Sequence, residues 1–151
     1  MATVKEEDKT FSKVYNAPGF SKEQLYEAGK IWVANNFKSA KAVVEYDNKE
    51  NGTIIGKGNI NYPCEGISCI AKNDWRIGFT MKYEAKDERF RLTFESLSLS
   101  WPPRVDSLGY HPAYEGPLFQ QGDYDAVKPI LLNFGEEIMA SLSKLKQTDN
   151  W

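Results

Sequence analysis

One histidine and the carboxylates near it are the residues of this sequence best suited to acid–base chemistry. His111 lies between Asp106 and Glu115 along the chain, and a histidine paired with a carboxylate can exchange a proton near neutral pH. No nucleophile motif such as G-x-S-x-G is present. We therefore interpret His111 as a surface loop residue. A small hydrolase-like enzyme that uses it with Asp106 or Glu115 is the alternative.

Two cysteines, Cys64 and Cys69, stand close together in YPCEGISCIAK. A structural zinc site needs four ligands, and the chain offers only these two thiols and one distant histidine. The pair could form a disulfide that closes a small loop, which would suit an oxidising compartment. We favour the simpler interpretation, two unpaired thiols in a hairpin loop.

Acidic turns and a glycine pair are the remaining candidates for ion binding. Asp47, Glu50, Asp87 and Glu88 lie at predicted turns, but the chain has neither an EF-hand loop nor a regular acidic spacing. The glycines of IIGKGN lack the further glycines and the following helix of a phosphate-binding loop. We therefore predict neither a metal nor a cofactor.

The charge balance argues against nucleic acid as a partner. The chain has 19 basic and 21 acidic side chains, interspersed, with a formal net charge of -2. Nucleic-acid binding depends on neutralising several phosphates. Basic residues could gather on an outer sheet face, but acidic residues are expected there too; the two groups are Lys57, Arg76, Lys82, Arg89 and Arg91, and Glu45, Asp47, Glu84 and Glu95.

The length and hydropathy of the chain favour one globular domain. Its 151 residues suffice for one core, and no stretch approaches the ~18 apolar residues that a membrane span needs. The first residues lack the apolar core of a secretory signal. We expect either a cytoplasmic protein or a mature domain whose leader has been removed.

The helix signals are clearest after residue 20. Ser21 and Gln24 have the spacing of a capping box, which predicts a helix over residues 22–37. Gly29 within it suggests a close approach to another element, because glycine costs up to ~1 kcal/mol in a helix. A second helix is predicted from Asp125, with Pro129 in its first turn. Its apolar stripe comprises Val127, Leu131, Phe134, Ile138, Leu142 and Leu145.

Alternating apolar residues predict five strands. They cover residues 10–17, 42–47, 53–62, 75–85 and 89–99, and Ala42, Val44 and Tyr46 should share one face. A bulge near Glu95 and Ser96 is needed, since the apolar parity of the last strand changes there. The paired glycines Gly56 and Gly58 leave a shallow floor for a helix or a ligand.

These elements predict an α+β fold of order β-α-β-β-β-β-α, an antiparallel sheet with two helices packed on one face. Residues 1–9 are expected to be frayed, residues 10–147 to form the single domain, and residues 148–151 to be a tail.

Two segments carry a family resemblance. SKEQLYEAGKIWVANNFKSAKAVVEYDNKENGTIIGKG and, more loosely, WRIGFTMKYEAKDERFRLTFESL resemble a bacterial family of domains of unknown function with a TATA-binding-protein-like fold. The resemblance implies the same strand and helix order and an envelope location, since members commonly carry a secretion or lipoprotein leader. It implies no catalytic residues. DNA binding by analogy with relatives of the fold is a further alternative.

The long segment between Trp101 and Gly122 is the predicted binding region, because loops of this length are often functional. Its candidate residues are Trp101, Tyr110, His111, Tyr114 and Phe119. We expect a non-enzymatic binding domain for a protein, a peptide or an apolar small molecule. Alternatively, these rings plug one end of the core.

Overall fold

The computed structural model describes residues 4–37, 43–64 and 66–148. Its main strands are β1 (Phe11–Asn16), β2 (Val43–Asn48), β3 (Thr53–Asn61), β4 (Arg76–Lys86) and β5 (Arg89–Trp101). Three short strands follow, β6 (Arg104–Asp106), β7 (Gly109–His111) and β8 (Tyr114–Pro117). The helices are α1 (Lys22–Asn36), α2 (Ser68–Lys72) and α3 (Gln121–Thr148). None of the helices so described is both long and apolar enough to cross a membrane.

The sheet confirms the predicted α+β class. Its strands are antiparallel in the order β1-β5-β4-β3-β2, and β8 also pairs with β5. The long helices α1 and α3 cover one face, where every second residue of β4 from Ile77 to Ala85 is buried. That burial explains the strict alternation of the β4 sequence.

Each long helix contacts the sheet through a glycine and a tyrosine. In α1, whose capping box between Ser21 and Gln24 is confirmed, Gly29 lies on the Tyr83 ring, and the Tyr83 hydroxyl donates a hydrogen bond to the Leu25 carbonyl. In α3, Gly135 lies on the Tyr15 ring. The Tyr15 hydroxyl donates to the backbone carbonyl of Leu132 in the same helix.

A bulge sets the inner face of β5, as predicted. Ser96 has a φ of 54°, and the β4 to β5 register shifts between Gly78 and Thr80. Residues on both sides of the bulge therefore point into the core; Phe90, Leu92, Phe94, Leu97 and Leu99 are all buried.

A second bulge, in β2, overturns one prediction. The register with β3 shifts between Val44 and Tyr46, so that Val44 faces Gly56 and Tyr46 faces Ile55. Adjacent residues of β3 point to opposite faces, and Val44 and Tyr46 therefore do not share one. Ala42 lies outside the described residues.

The predicted start of the last helix was four residues late. The helix α3 begins at Gln121, because buried Tyr124 donates its hydroxyl to the Leu118 carbonyl and holds this turn on the domain. Pro129 is consequently inside the helix, where it removes one backbone donor. The apolar stripe is confirmed from Val127 to Leu142, and the side chain of Leu145 is not among those described.

The amino-terminal segment is more ordered than expected in its described part. Val4 is buried, and a 3-10 turn spans Glu6–Asp8. Residues 1–3 and 149–151 lie outside the described residues.

Candidate functional site

The segment after Trp101 is not the structureless loop that was predicted. It contains the hairpin β6–β7 and then β8, which pairs with the end of β5. Trp101 and Tyr114 are opposite each other in that pairing. The two prolines after Trp101 interrupt the strand but do not end the ordered structure.

A row of four aromatic rings crosses this end of the sheet and supports the hairpin. Trp75 stacks on Trp101 with ring centroids 4.4 Å apart, and Trp101 stacks on Tyr114 at 4.5 Å. Tyr62 meets Trp75 edge-on at 5.3 Å. All four rings are half-buried. The faces of Trp101 are therefore occupied by its neighbours, and only its edge remains for a ligand.

The hairpin turns its polar face toward the domain. Arg104 pairs with Asp106 at 3.6 Å, and His111 Nε2 lies 3.1 Å from Asp106 Oδ1. Arg104 also donates to the Ala71 carbonyl of α2 at 3.4 Å. His111 lines a cavity of about 210 Å³ together with Trp101 and residues of α2.

The opposite face of the hairpin is apolar and open to solvent. Val105 and Tyr110 are paired across β6 and β7, and they are 75% and 67% exposed. Leu108, in the turn, is 88% exposed. We call these three side chains the hairpin tip. Their orientation reverses the usual arrangement, in which the apolar face of a two-stranded ribbon is the covered one.

The hairpin turn is fixed by local interactions. The Leu108 backbone N–H donates to Asp106 Oδ1 at 2.8 Å, and Gly109 adopts a φ of 115° that favours glycine. This hydrogen bond, together with His111 and Arg104 beside it, lowers the pKa of the Asp106 carboxyl below its usual value. The turn therefore holds Leu108 in solvent through hydrogen bonding of the backbone and not through burial of its side chain.

A second exposed apolar pair lies on α2 and the loop before it. Cys64 and Cys69 form a disulfide that closes this loop, so the interpretation of two unpaired thiols was wrong. Ile67 and Ile70 are 86% and 75% exposed; we call them the loop tip. Lys72, the last residue of α2, lies over the Tyr62 and Trp75 rings at 5.3 and 5.0 Å from their centroids.

The structure separates the predicted site residues into three groups. Tyr110 and His111 lie in the hairpin on opposite faces, whereas Trp101 and Tyr114 are half-buried in the aromatic row. Phe119 is 53% exposed between β8 and α3. The sequence predicted a site at Tyr110 but not at the other four apolar tip residues, which are Ile67, Ile70, Val105 and Leu108. A hairpin signal was present in RVDSLGYH, where Asp and Gly flank a short turn between alternating residues.

Of the two carboxylates suggested as partners of His111, the structure brings Asp106 to it. Glu115 instead faces Ser100 across the β5 to β8 pairing. The described residues that line the cavity beside His111 include no serine, threonine or cysteine. Among the residues described, no group of three or more His, Cys, Asp or Glu could hold a metal ion.

The uncovered outer face of the sheet carries mixed charge. Lys57 pairs with Glu45 at 3.3 Å, and Arg91 pairs with Glu84 at 2.9 Å. Lys82 lies 3.9 Å from the same Glu84 carboxylate. These pairs interrupt the positive surface that a phosphate backbone would require.

Comparisons with known proteins identify a family and its fold. A family model described as "Domain of unknown function (DUF4468) with TBP-like fold" matches residues 11–100. A DUF4468 family protein from Bacteroides ovatus ATCC 8483 is 18% identical, with a TM-score of 0.54 over 75% of this chain and 64% of that one. A TBP-like protein from Parabacteroides distasonis ATCC 8503 is 17% identical, with a TM-score of 0.52 over 70% of this chain and 64% of that one. No curated protein matches the chain.

At these identities the likeness to the two solved structures concerns the fold alone. The chain spans less than two thirds of the length of each, namely 64%. The matched residues 11–100 stop before the hairpin begins at Arg104. The family match therefore does not cover the hairpin.

Proposed function

Because the chain belongs to the DUF4468 family of domains of unknown function with a TBP-like fold, we propose its function from the geometry: a non-enzymatic module that binds a protein or peptide through the hairpin tip. The observation that carries this proposal is the orientation of the hairpin. Its Arg104 contacts α2 and its His111 lines the cavity beside α2, whereas Val105, Leu108 and Tyr110 face solvent.

Exposing these side chains has no benefit for the folded domain by itself. Burial of a large aliphatic or aromatic side chain contributes ~1.5–3 kcal/mol, and the hairpin forgoes this by presenting three of them to water. Contiguous exposed apolar patches commonly mark interaction sites. A partner that covered the hairpin tip would recover this free energy.

The aromatic row makes the hairpin a suitable binding element. Trp101 immediately precedes the two prolines that lead into the hairpin, and its ring is fixed between Trp75 and Tyr114. Proline also restricts the backbone of this connection. A pre-organised surface loses little conformational entropy on binding, so that more of the contact free energy remains as affinity.

The proposal is tested with a displayed peptide library. The wild-type domain is used to select 12-residue peptides, and the affinity of enriched peptides is measured by fluorescence anisotropy. We expect Val105→Ser combined with Leu108→Ser to weaken binding about tenfold or more, as central apolar contacts do. The control is Val14→Ser on β1, whose side chain is 50% exposed on a different surface. If the selected peptides bind the Val105→Ser and Leu108→Ser double variant as tightly as they bind Val14→Ser, the proposal is refuted.

We further propose that the domain works in the bacterial envelope. The Cys64–Cys69 disulfide supports this location, because disulfides persist in oxidising compartments. Fractionation of cells that express the natural gene, with alkylation of free thiols before lysis, tests it. Recovery of the protein in the cytoplasm with both thiols alkylated would contradict the proposal.

Acid–base catalysis by His111 is a second candidate, favoured by the 3.1 Å contact between His111 and Asp106. This pair could activate water, although no serine, threonine or cysteine is among the described residues that line the adjacent cavity. Assays with activated esters and phosphoesters test the idea. Turnover that is abolished by His111→Ala and retained in Val105→Ser would support it. Equal rates in the wild type and His111→Ala would dismiss it.

Nucleic-acid binding is a third candidate that rests on fold analogy, and the paired charges of the outer sheet face argue against it. Titration of labelled duplex DNA over a range of salt concentrations tests it, because phosphate contacts make affinity strongly salt-dependent.

A further inference from the structure

We infer that the Cys64–Cys69 disulfide is a redox switch that controls whether the hairpin, residues 104–111, stays docked on the domain. While the disulfide is intact, the helix α2 is ordered and holds Arg104 of the hairpin. Reduction by a dithiol releases α2 and, with it, the hairpin. The inference rests on the proposed function, because the hairpin is the binding element whose position the switch regulates.

The helix α2 depends on the disulfide because its own sequence supplies little stability. It has five residues, far below the ~12–15 that an isolated helix needs, and Ile67 at its amino end makes no capping hydrogen bond. Those of its side chains that the structure describes lie outside the buried core, and Ile70 is 75% exposed. At the other end, Lys72 lies 5.3 and 5.0 Å from the centroids of the Tyr62 and Trp75 rings. Such a contact is weak where the cation is partly exposed, so the covalent bond decides whether the helix stays formed.

The hairpin is docked through α2. The Arg104 guanidinium donates to the Ala71 backbone carbonyl of α2 at 3.4 Å. Within the described part of the chain, this is the one hydrogen bond between residues 104–111 and another helix or strand. Arg104 and His111 also line the cavity of about 210 Å³ together with Ala71 and Lys72. Loss of the helix therefore removes the hydrogen bond and opens the cavity.

Reduction affects this end of the domain and not the whole fold. In the chain-entropy model, the stabilisation by a disulfide grows with the length of the loop that it closes, and here the two cysteines are only five positions apart. The buried core, which lies between the sheet and the long helices, includes neither cysteine. The domain therefore stays folded after reduction, and the change is confined to α2 and the elements that contact it.

A reductant can reach the disulfide. Cys64 and Cys69 are half-buried, and Gly66 and Ile67 between them are exposed. A thiolate of the dithiol attacks one sulfur, the S–S bond of the protein breaks as a mixed disulfide forms, and the second thiol of the dithiol displaces the protein sulfur from it. The two cysteines gain two electrons and two protons, and the dithiol leaves as its own disulfide.

Hydrogen exchange of the full chain tests the switch. Exchange of the amides of residues 104–111 is measured by mass spectrometry with and without dithiothreitol, and alkylation verifies that both thiols are free in the treated sample. We expect exchange to become about two- to tenfold faster on reduction, the range that one hydrogen bond supports. The amides of β4 should stay protected over the same period in both forms, which shows that the domain remains folded. Cys64→Ser combined with Cys69→Ser should exchange like the reduced wild type and should not respond to dithiothreitol.

The variant Arg104→Gln tests the connection through α2. It removes the guanidinium that donates to Ala71. Its hairpin should exchange faster even with the disulfide intact, and reduction should then have a smaller effect than in the wild type, because both changes break the same link. Arg89→Gln is the matched control, since Arg89 is exposed at the opposite end of β5 from the hairpin.

Three results overturn the inference: an unchanged exchange rate of residues 104–111 after reduction, a disulfide that stays bonded under dithiothreitol while the domain is folded, or an equal effect of reduction in Arg104→Gln and the wild type. The affinity of the selected peptides should fall about two- to tenfold on reduction, because a released hairpin is less pre-organised. Faster exchange with an unchanged affinity would overturn the regulation of binding. If no selected peptide depends on Val105 and Leu108, the proposed function fails, whereas the exchange experiment still decides whether the disulfide controls the hairpin.

Discussion

The Tyr83 ring occupies the space that a side chain at Gly29 would need. An ideal Cβ at Gly29 would lie 2.5 Å from Cε1 of that ring, closer than side chains pack. Tyr83 is fully buried, and its hydroxyl donates to the Leu25 carbonyl of the same helix. The ring is therefore fixed at both ends and cannot move aside at low cost.

Gly29→Ala should destabilise the domain even though alanine is the better helix former. The gain in helix propensity is about 1 kcal/mol, whereas overpacking a filled core costs about 1–3 kcal/mol. We expect a net loss of about 1 kcal/mol in the free energy of unfolding, measured by urea denaturation. Gly122→Ala is the matched control, since nothing lies within 4 Å of a Cβ at this position of α3. An unchanged or raised free energy of unfolding for Gly29→Ala would show that the Tyr83 ring can move aside at low cost.

Stability should fall as the pH rises above about 10. Burial raises the pKa of Tyr15 to about 12; burial and the hydrogen bond to Asp123 raise the pKa of Tyr62 to about 12. Between pH 10 and 12 these residues ionise in the unfolded chain and stay protonated in the folded one, so the unfolded state is favoured. Denaturation at several pH values measures how the free energy of unfolding changes with pH.

The variant Tyr62→Phe tests whether Tyr62 contributes to the loss of stability above pH 10. It should lose less stability than the wild type between pH 10 and pH 12, because it removes one of the protons that unfolding releases. If the free energy of unfolding of Tyr62→Phe falls with pH as steeply as that of the wild type, Tyr62 does not contribute to the effect.

Removal of the Cys64–Cys69 disulfide should lower stability by about 2 kcal/mol according to the chain-entropy model for so short a loop. Thermal denaturation of Cys64→Ser combined with Cys69→Ser measures this loss. Wild-type protein under a thiol reductant should unfold at the same temperature as the variant without reductant. A reductant effect on the variant itself would show that another process is responsible.

Trp101→Ala should loosen the hairpin more than it unfolds the domain. The substitution removes a ring stacked between Trp75 and Tyr114, and large-to-small aromatic changes in cores cost about 3–5 kcal/mol, less where the ring is half-buried as here. Limited trypsin cleavage after the exposed Arg104 should become faster, as read by mass spectrometry. Val105→Ser is the control that leaves the row intact, and equal cleavage rates in both variants would contradict the supporting role of the row.

The sheet and the helix α1 were predictable because local signals and packing agree there. The capping box at Ser21, the strict alternation of β4 and the parity change at Ser96 each follow from backbone hydrogen bonding and one buried face. The early start of α3 was missed, since it depends on a contact between Tyr124 and the Leu118 carbonyl that spacing does not encode. The β2 bulge was missed because it depends on the pairing of β2 with β3, which the spacing of residues in β2 does not encode.

The candidate site was predictable only in its approximate position. The segment after Trp101 was identified by its length and its aromatic residues, but the sequence could not say which rings would be supports and which would be free. Trp101 and Tyr110 look alike as aromatic residues of one loop. Pairing of β8 with β5 places Trp101 in a stack, while the hairpin register places Tyr110 in solvent.

The amino-acid sequence by itself determined the α+β class, the order of the main elements and the family, because periodicity and capping act over a few residues. Only the tertiary structure decided that the hairpin turns its polar face inward and lies beside the disulfide-closed helix α2. The physical reason is that these relations depend on contacts between distant segments, Arg104 with Ala71 and Trp75 with Trp101. Such contacts form only when the whole sheet is assembled.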